Sequence, residues 1–378
     1  MRKILLGLII LFTAKSFEIG NLNSTAAVLM DGNSGRVLFG KGEKEILANA
    51  STTKILTCII AIENCNLDDV VTVSAHASKM PDVQLNISEG QTFYLEDLLY
   101  SMMLESHNDS AVAIAEHVAG NVEKFSELMN EKARELGCYD TNFITPNGLD
   151  AENKAGIHST TAYDLALIMR YCIKNDVFLQ IAGTITYSFD DIQGKNSYTV
   201  NNKNALLREG LGVIAGKTGY TGKAGYCYVG AFVDDERVYV FSLLGCGWPP
   251  SKNLKWADSR KLINYGKENY KVYKYKDVKI NGIGNIKIVN GVKEDVRVAN
   301  EAVGDGGILL EKNNKIEVKY YLPDVIEAPV IYGDVVGRID YVVDGNVFNS
   351  VLVRCVENVE FKSYKWCAEN VLNKFFLK

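Results

Sequence analysis

The sequence predicts an α+β protein. Its first domain is an antiparallel sheet flanked by helices and joined to a helical subdomain, and a small all-β domain follows. Three observations carry this expectation. Apolar residues recur at helical spacing over 95–104, 110–119, 122–136 and 161–172, with Asp and Ser/Thr caps nearby. Two long apolar β runs, 225–233 and 238–244, are joined by Asp234-Asp235-Glu236, so 216–245 reads as adjacent antiparallel strands. Beyond about Tyr270 the runs become short and β-rich, punctuated by Asn281-Gly282, Asn290-Gly291, Asn313-Asn314, Gly333-Asp334 and Asp344-Gly345.

The remaining elements fit this frame. Segments 25–30 and 36–39 are short apolar runs separated by Asp31-Gly32-Asn33-Ser34-Gly35, the turn chemistry of a β-hairpin. Residues 52–62 are apolar nearly all round, interrupted chiefly by Lys54 and threonines, which predicts a buried central helix with Ser51 at its N-terminus. A last helix of the first domain is expected over 256–266. The length of 378 residues calls for two domains, and 47% apolar residues supply a large core. The divisions expected are 1–16, 17–268, 269–360 and 361–378.

At the start, Arg2 and Lys3 precede an apolar run over 4–12, and the small residues Ala14 and Ser16 follow. This pattern predicts a secretory signal over 1–16, with the rest acting on the outer side of the cytoplasmic membrane. The run is short for a membrane span, and no later segment is long and apolar enough for one. At the other end, Phe361, Tyr364, Ala368, Val371, Leu372, Phe375 and Phe376 share one helical face. Lys362, Lys365, Lys374 and Lys378 stand against the single acid Glu369, which predicts a helix over 361–378 lying in an anionic membrane surface. A helix packed on its own β domain is the alternative. The formal charge of −5 with no dominant basic stripe excludes nucleic acid as a partner. Eight cysteines without C-x-x-C spacing indicate neither a zinc site nor a redox dithiol, and buried free thiols are expected. No metal or cofactor is expected.

Three short motifs occur in order: Ser51-Thr52-Thr53-Lys54, Ser106-His107-Asn108 and Lys217-Thr218-Gly219. Ser51 and Lys54, three apart on a helix, share a face, so the amine can reach the hydroxyl. A serine is a poor nucleophile until a neighbour takes its proton. A lysine takes it only when neutral, a state that burial and a second cation, here Lys217, both favour. Ser106 and Asn108 are expected on a turn between two helices, the hydroxyl relaying a proton and the amide holding a substrate carbonyl. Lys217-Thr218-Gly219 is expected at the start of a strand. A peptide can add alongside it, its terminal carboxylate held by Lys217 and Thr218, with Gly219 permitting close approach. The serine motif is the only S-x-x-K in the chain, whereas a second S-x-N, Ser251 to Asn253, falls after Lys217-Thr218-Gly219 and reads as a loop.

The three motifs match the pattern of penicillin-binding enzymes and serine β-lactamases. Ala50–Lys54, Glu105–Val112, Thr145–Asp150, His158–Ala166 and Gly216–Thr221 extend the likeness. Over about 25–266 the chain resembles the low-molecular-weight penicillin-binding proteins of the D-alanyl-D-alanine carboxypeptidase family. The resemblance implies a β-lactamase/transpeptidase-like catalytic domain and removal of the terminal D-alanine from peptidoglycan stem peptides, with β-lactams as inhibitors. By position it implies Ser51 as the acylated nucleophile, Lys54 as its base, Ser106 and Asn108 as the second motif, and Lys217, Thr218 and Gly219 along the substrate. The backbone N–H groups of Ser51 and Tyr220 would form the oxyanion hole. His107 stands where a small residue is frequent and is expected to face solvent. Between the second and third motifs there is no Glu-x-x-Leu-Asn setting of the β-lactamase kind. A peptidoglycan endopeptidase and a non-catalytic muropeptide or β-lactam receptor remain alternatives.

Overall fold

The computed structural model describes residues 18–376 apart from 279, 281, 305, 313, 315 and 344. The expected signal over 1–16 and the turn residues Asn281, Asn313 and Asp344 lie outside this set. The chain divides into two compact units, with the break between Asn269 and Tyr270.

The first unit is built on five antiparallel strands: β1 (Ala26–Asp31), β2 (Val37–Lys41), β3 (Val213–Thr221), β4 (Gly225–Asp234) and β5 (Arg237–Leu244). Their order is β2-β1-β5-β4-β3, so β3 is an edge strand. The expected hairpin is β1 and β2, paired with a shift of register between Leu29 and Met30. Strand β3 starts three residues earlier than Gly216. Ala215 pairs with Ala231 and Val213 with Phe232, across a shift of register beside Ala231. Lys217-Thr218-Gly219 therefore occupies the later half of the strand and not its start. The long apolar partner β4 sustains pairing that a short 213–215 run does not advertise by itself.

Alternation along the strands sends side chains to two layers. Ala26, Val28, Met30, Val229, Ala231, Val240 and Leu244 join the helical core. Helix α5 (Ala162–Cys172) packs on this face, its Ala162 carbonyl accepting from Ser242 Oγ at 2.5 Å. Leu29, Phe232, Tyr239 and Phe241 alternate with that set. Phe232 and Tyr239 stack at 4.5 Å, and Tyr239 OH donates to the carbonyl of Gly266 on the long helix Leu254–Asn269. A Cβ at Gly266 would stand 3.1 to 3.3 Å from Tyr239, Leu29 and Phe232, so glycine lets this helix lie close to the sheet.

The helical layer comprises α1 (Lys54–Asn64), α2 (Leu95–Leu104), α3 (Asn108–Ala119), α4 (Val122–Glu135), α5 (Ala162–Cys172) and α6 (Asp176–Gly183); Leu254–Asn269 is α7. Helix α1 is buried from Lys54 to Ala61 and touches each of α2 to α6, as an all-round apolar helix must. Two of the elements that were not anticipated belong to this layer. One is α6, whose eight residues give too few turns for a clear period, although Asn175 caps it by accepting from Phe178 N. The other is the hairpin Thr186–Asp190 with Ser197–Asn201, whose Tyr187, Phe189 and Tyr198 join Phe93 and Tyr100 in an aromatic cluster.

The second unit is β-rich. Four strands run in the order Val298–Asn300, Asn346–Cys355, Val335–Val343, Ile316–Tyr321, and Ile286–Val289 pairs with Asp295–Val296 and with Val325–Glu327. Its core includes Ile286, Ile288, Val296, Ile339, Tyr341 and Val353. The tail forms helix α8 (Tyr364–Phe376), on which Val371, Leu372, Phe375 and Phe376 are all exposed. Among the described residues no helix is long and apolar enough to cross a membrane.

The load on the helical core is measurable. Leu99, fully buried on α2, should lower the stability of the first unit by about 2–5 kcal/mol when changed to Ala. Urea unfolding followed by circular dichroism checks this, and a loss below about 1 kcal/mol would show that the site collapses around the missing atoms.

Candidate active site

Ser51 lies in a single 3-10 turn, Ala50–Thr53, that runs directly into α1, so Lys54 is the first residue of the α-helix. The turn is held rigidly. Ala50 has φ +50, a left-handed value that a non-glycine residue adopts only under constraint. Asn49 Nδ2 donates to Thr52 Oγ1 and Thr53 Oγ1, and Thr52 Oγ1 returns a bond to the Asn49 carbonyl at 2.7 Å. Thr53 Oγ1 donates to the Ala50 carbonyl at 2.8 Å and also meets His158 Nε2 at 2.8 Å. Because His158 Nδ1 accepts from the N–H groups of Ile144 and Thr145, its Nε2 carries the proton and donates to Thr53. Burial, reinforced by the charge of Lys54, lowers its pKa to about 4 and keeps it neutral.

Lys54 has no exposed surface, and its Nζ reaches three oxygens: Ser51 Oγ at 2.8 Å, Asn108 Oδ1 at 2.8 Å and the Asn147 carbonyl at 2.7 Å. None of the three is a carboxylate. Burial, then the charge of Lys217, push the amine well below the ordinary lysine pKa, and Asp109 opposes them less strongly. Ser51 Oγ also donates to the Asn147 carbonyl at 3.3 Å. With a neutral amine the 2.8 Å contact reverses: two amine hydrogens still serve Asn108 and Asn147, and the nitrogen lone pair faces the Ser51 hydroxyl proton.

The other motifs arrive from three directions. Ser106 sits between α2 and α3 with φ +76, a second non-glycine residue in the left-handed region, and its hydroxyl has no hydrogen-bond partner among the described residues. Asn108 opens α3. Both of its amide hydrogens go to the Pro81 and Asp82 carbonyls at 3.0 and 3.1 Å, so its oxygen is aimed at Lys54. Asp109, next in line, accepts from the N–H groups of Leu85, Asn86 and Ile87 and pins the 81–87 loop that holds Asn108. His107 does not face solvent. It is buried, with Nδ1 2.8 Å from Ser101 Oγ and Nε2 3.7 Å from Glu105, and burial lowers its pKa to about 4. The position between two closely packed helices, α2 and α3, leaves the ring nowhere else to go.

Lys217 is buried on edge strand β3, its Nζ 3.1 Å from the Thr218 carbonyl, and burial lowers its pKa to about 7. Gly219 passes the serine turn so closely that a Cβ there would stand 2.9 Å from Ser51 N and 3.0 Å from Thr52 N. Tyr220 follows, partly exposed, its ring 4.7 Å from that of Tyr226. Ser51, Lys54 and Asn108 are thus joined by hydrogen bonds, Lys217 acts on Lys54 through its charge, and Gly219 lies against the Ser51 backbone. A separate groove lined by Glu127, Glu131, Arg134, Tyr139 and Ile157 contains none of these residues.

One contributor was missed from sequence: the 145–150 loop. The Asn147 carbonyl is shared by Ser51 and Lys54, Pro146 O accepts from Thr57 Oγ1 at 2.6 Å, and Thr221 Oγ1 ties Asp150 to the end of β3. Gly148, at φ +80, allows this approach, since a Cβ would fall 2.0 Å from the Ala50 carbonyl oxygen. From sequence the segment entered only as the stretch Thr145–Asp150 of the family resemblance, and Pro146-Asn147-Gly148 marks a turn but not what the turn touches.

Known proteins resemble this chain in sequence and fold. A family profile described as D-alanyl-D-alanine carboxypeptidase matches residues 13–245. The D-alanyl-D-alanine carboxypeptidase DacF of Bacillus subtilis is 29% identical over 345 residues, 89% of this chain and 85% of its own. DacA of Haemophilus influenzae is 30% identical over 345 residues, 88% of this chain and 84% of its own. The crystal structure of penicillin-binding protein 5 from Haemophilus influenzae superposes with a TM-score of 0.70 at 26% identity, covering 90% of this chain and 98% of that one. The match of the family profile to more than half of the chain shows that the chain belongs to the D-alanyl-D-alanine carboxypeptidase family of serine peptidases.

Proposed function

We propose that this protein removes the terminal D-alanine from peptidoglycan stem pentapeptides through an acyl-enzyme on Ser51, and that β-lactams acylate the same hydroxyl. The observation that carries the reading is the Lys54 amine, buried without a carboxylate in contact and 2.8 Å from Ser51 Oγ. Neutral Lys54 takes the Ser51 proton as Oγ bonds to the carbonyl carbon between the two D-alanines. The backbone N–H groups of Ser51 and Tyr220 receive the oxyanion, at the point where glycine at 219 brings β3 against the serine turn. Ser106 passes a proton to the leaving amine, and its unpartnered hydroxyl supports that role. The carbon–nitrogen bond breaks, free D-alanine departs, and water activated by Lys54 releases the tetrapeptide.

The substrate lies as an added strand along the free edge of β3, with its terminal carboxylate near Lys217 and Thr218. Asn108 acts through Lys54, because its amide hydrogens are taken by the 81–82 backbone. The enzyme works outside the cytoplasm, a reading that rests on the charged, apolar and small-residue pattern of residues 1–16. Helix α8 lies in the membrane surface, with exposed Val371, Leu372, Phe375 and Phe376 toward the acyl chains and Lys362 and Lys365 toward anionic headgroups.

Ser51→Ala should cut D-alanine release from a diacetyl-Lys-D-Ala-D-Ala peptide by about a thousandfold or more and abolish labelling by penicillin. Labelling that survives in Ser51→Ala would overturn the nucleophile assignment, and labelling of the native chain without any release would favour a receptor.

The lysines set the pH profile. Lys54 must be neutral to accept the proton, so kcat/KM rises with pH through its lowered pKa. Lys217 must be charged to hold a carboxylate, and in the free enzyme that charge fades as pH rises past about 7. A bell-shaped profile with its falling limb near neutrality is expected. Lys217→Arg, which stays charged, should move that limb to higher pH, and an unmoved limb would assign it to another group.

The tail has its own readout. The intact chain should sediment with vesicles of anionic phospholipid at low salt, and a chain lacking 361–378 should stay in the supernatant. Equal sedimentation of the two would exclude α8 as the anchor.

A further inference from the structure

Three side chains, two of them four residues apart and the third from a distant helix, converge at the end of α1 opposite the active site. Cys65 is the C-cap of α1, Asp69 lies in the turn that leads to the strand Val70–Thr72, and His117 sits in the last turn of α3. One ligand atom from each lies within 4.8 Å of the other two, and His117 Nε2 is 3.6 Å from Asp69 Oδ2. Zinc bonds of about 2.0–2.3 Å in a tetrahedron separate neighbouring donors by roughly 3.3–3.8 Å, so shifts of about 1 Å in rotatable side chains close the site. All three groups are half-buried, which leaves solvent access for one further ligand.

We infer that Cys65, Asp69 and His117 form a surface zinc site, with water as the fourth ligand, that ties the far ends of α1 and α3 to the 66–69 turn. The donor set of thiolate, imidazole and carboxylate suits Zn2+ and is a poor match for calcium or magnesium. Two helices direct their C-terminal ends at the cluster, and the partial negative charge there favours a cation. Asp69 is held as a ligand would need to be, accepting from Asn66 N at 3.0 Å, a bond that keeps its carboxyl below the usual carboxylate range. Without metal, burial raises the Cys65 thiol, so binding exchanges the thiol proton for the ion: Zn2+ joins the thiolate sulfur, and one proton leaves to solvent.

The site is about 16 Å along α1 from Lys54, from eleven helical residues at 1.5 Å each. Its expected effect is therefore on the stability of the helical layer and not on the chemistry at Ser51. Cysteine spacing did not reveal it because only one ligand is a cysteine and each comes from a different element.

Titration of the full chain, freed of any affinity tag and kept reduced, with Co2+ as an optical probe tests the inference. The native chain should develop a thiolate-to-cobalt charge-transfer band and tetrahedral d–d bands that saturate at one equivalent and vanish on adding Zn2+. Cys65→Ser and His117→Gln should lose the bands, whereas Cys367→Ser, at the exposed cysteine of α8, should keep them. Zinc should raise the thermal midpoint of the native chain but not that of Cys65→Ser, with penicillin labelling of each variant checking that it is folded. Absence of the bands from the native chain, or their survival in Cys65→Ser, would overturn the site.

Discussion

A buried lysine with no carboxylate in contact is the constraint around which the first unit is arranged. Taking an ammonium out of water costs several kcal/mol even after relaxation, and a paired carboxylate would ordinarily offset it. Lys54 has instead the side-chain oxygens of Ser51 and Asn108 and the backbone oxygen of Asn147. These satisfy the amine's hydrogens without stabilising its charge as an anion would. The carboxylate of Asp109, which acts on it from a distance, is itself occupied by three loop N–H groups and the N–H of Ser110. The result is a lysine that gives up its proton far more readily than one in water, next to a hydroxyl that needs a base.

Holding such a group requires rigid surroundings, and the chain supplies them by bringing backbone unusually close to backbone. Gly148 and Gly219 flank the serine turn on two sides, where added Cβ atoms would come within 2.0 and 2.9 Å of it. Between them the turn has little freedom, and Ala50 is kept at a φ it would not adopt alone. Thr53, His158 and the Asn49 amide nitrogen link further polar groups around the turn. The apolar length of α1 then anchors the whole assembly among α2 to α6. Strain at the site and packing away from it are two sides of one arrangement.

This balance explains what could be read from sequence and what could not. Ser51 and Lys54 were legible because a three-residue separation on an apolar helix fixes their relation whatever the rest of the fold does. The sheet strands and most helices were legible from period and turn residues for the same local reason. Asn147 was not, because its contribution is a backbone carbonyl, which any residue possesses. His107 was misjudged because the spacing of the second motif does not reveal that α2 and α3 pack tightly enough to bury the ring. The start of β3 was placed late because residues 213–215 become a strand through pairing with β4, a long-range cause. Its position at the sheet edge, which frees it for a peptide, is a property of topology alone.

The same constraint bears on the fate of the acyl-enzyme. Among the described residues no carboxylate is hydrogen-bonded to Ser51 or Lys54, so in the proposed mechanism the base that activates Ser51 also activates the deacylating water. With a peptide, the leaving D-alanine diffuses away and opens the space beside Ser51 in which that water must stand. With a β-lactam, the leaving amine remains tethered to the acyl group through the opened ring and stays in that space. The freed space favours turnover of the peptide and its occupation favours retention of the drug, with one lysine serving both acylation and deacylation. A fold that reserved a separate carboxylate for water would escape this distinction; here the burial that makes Lys54 a base assigns it both steps.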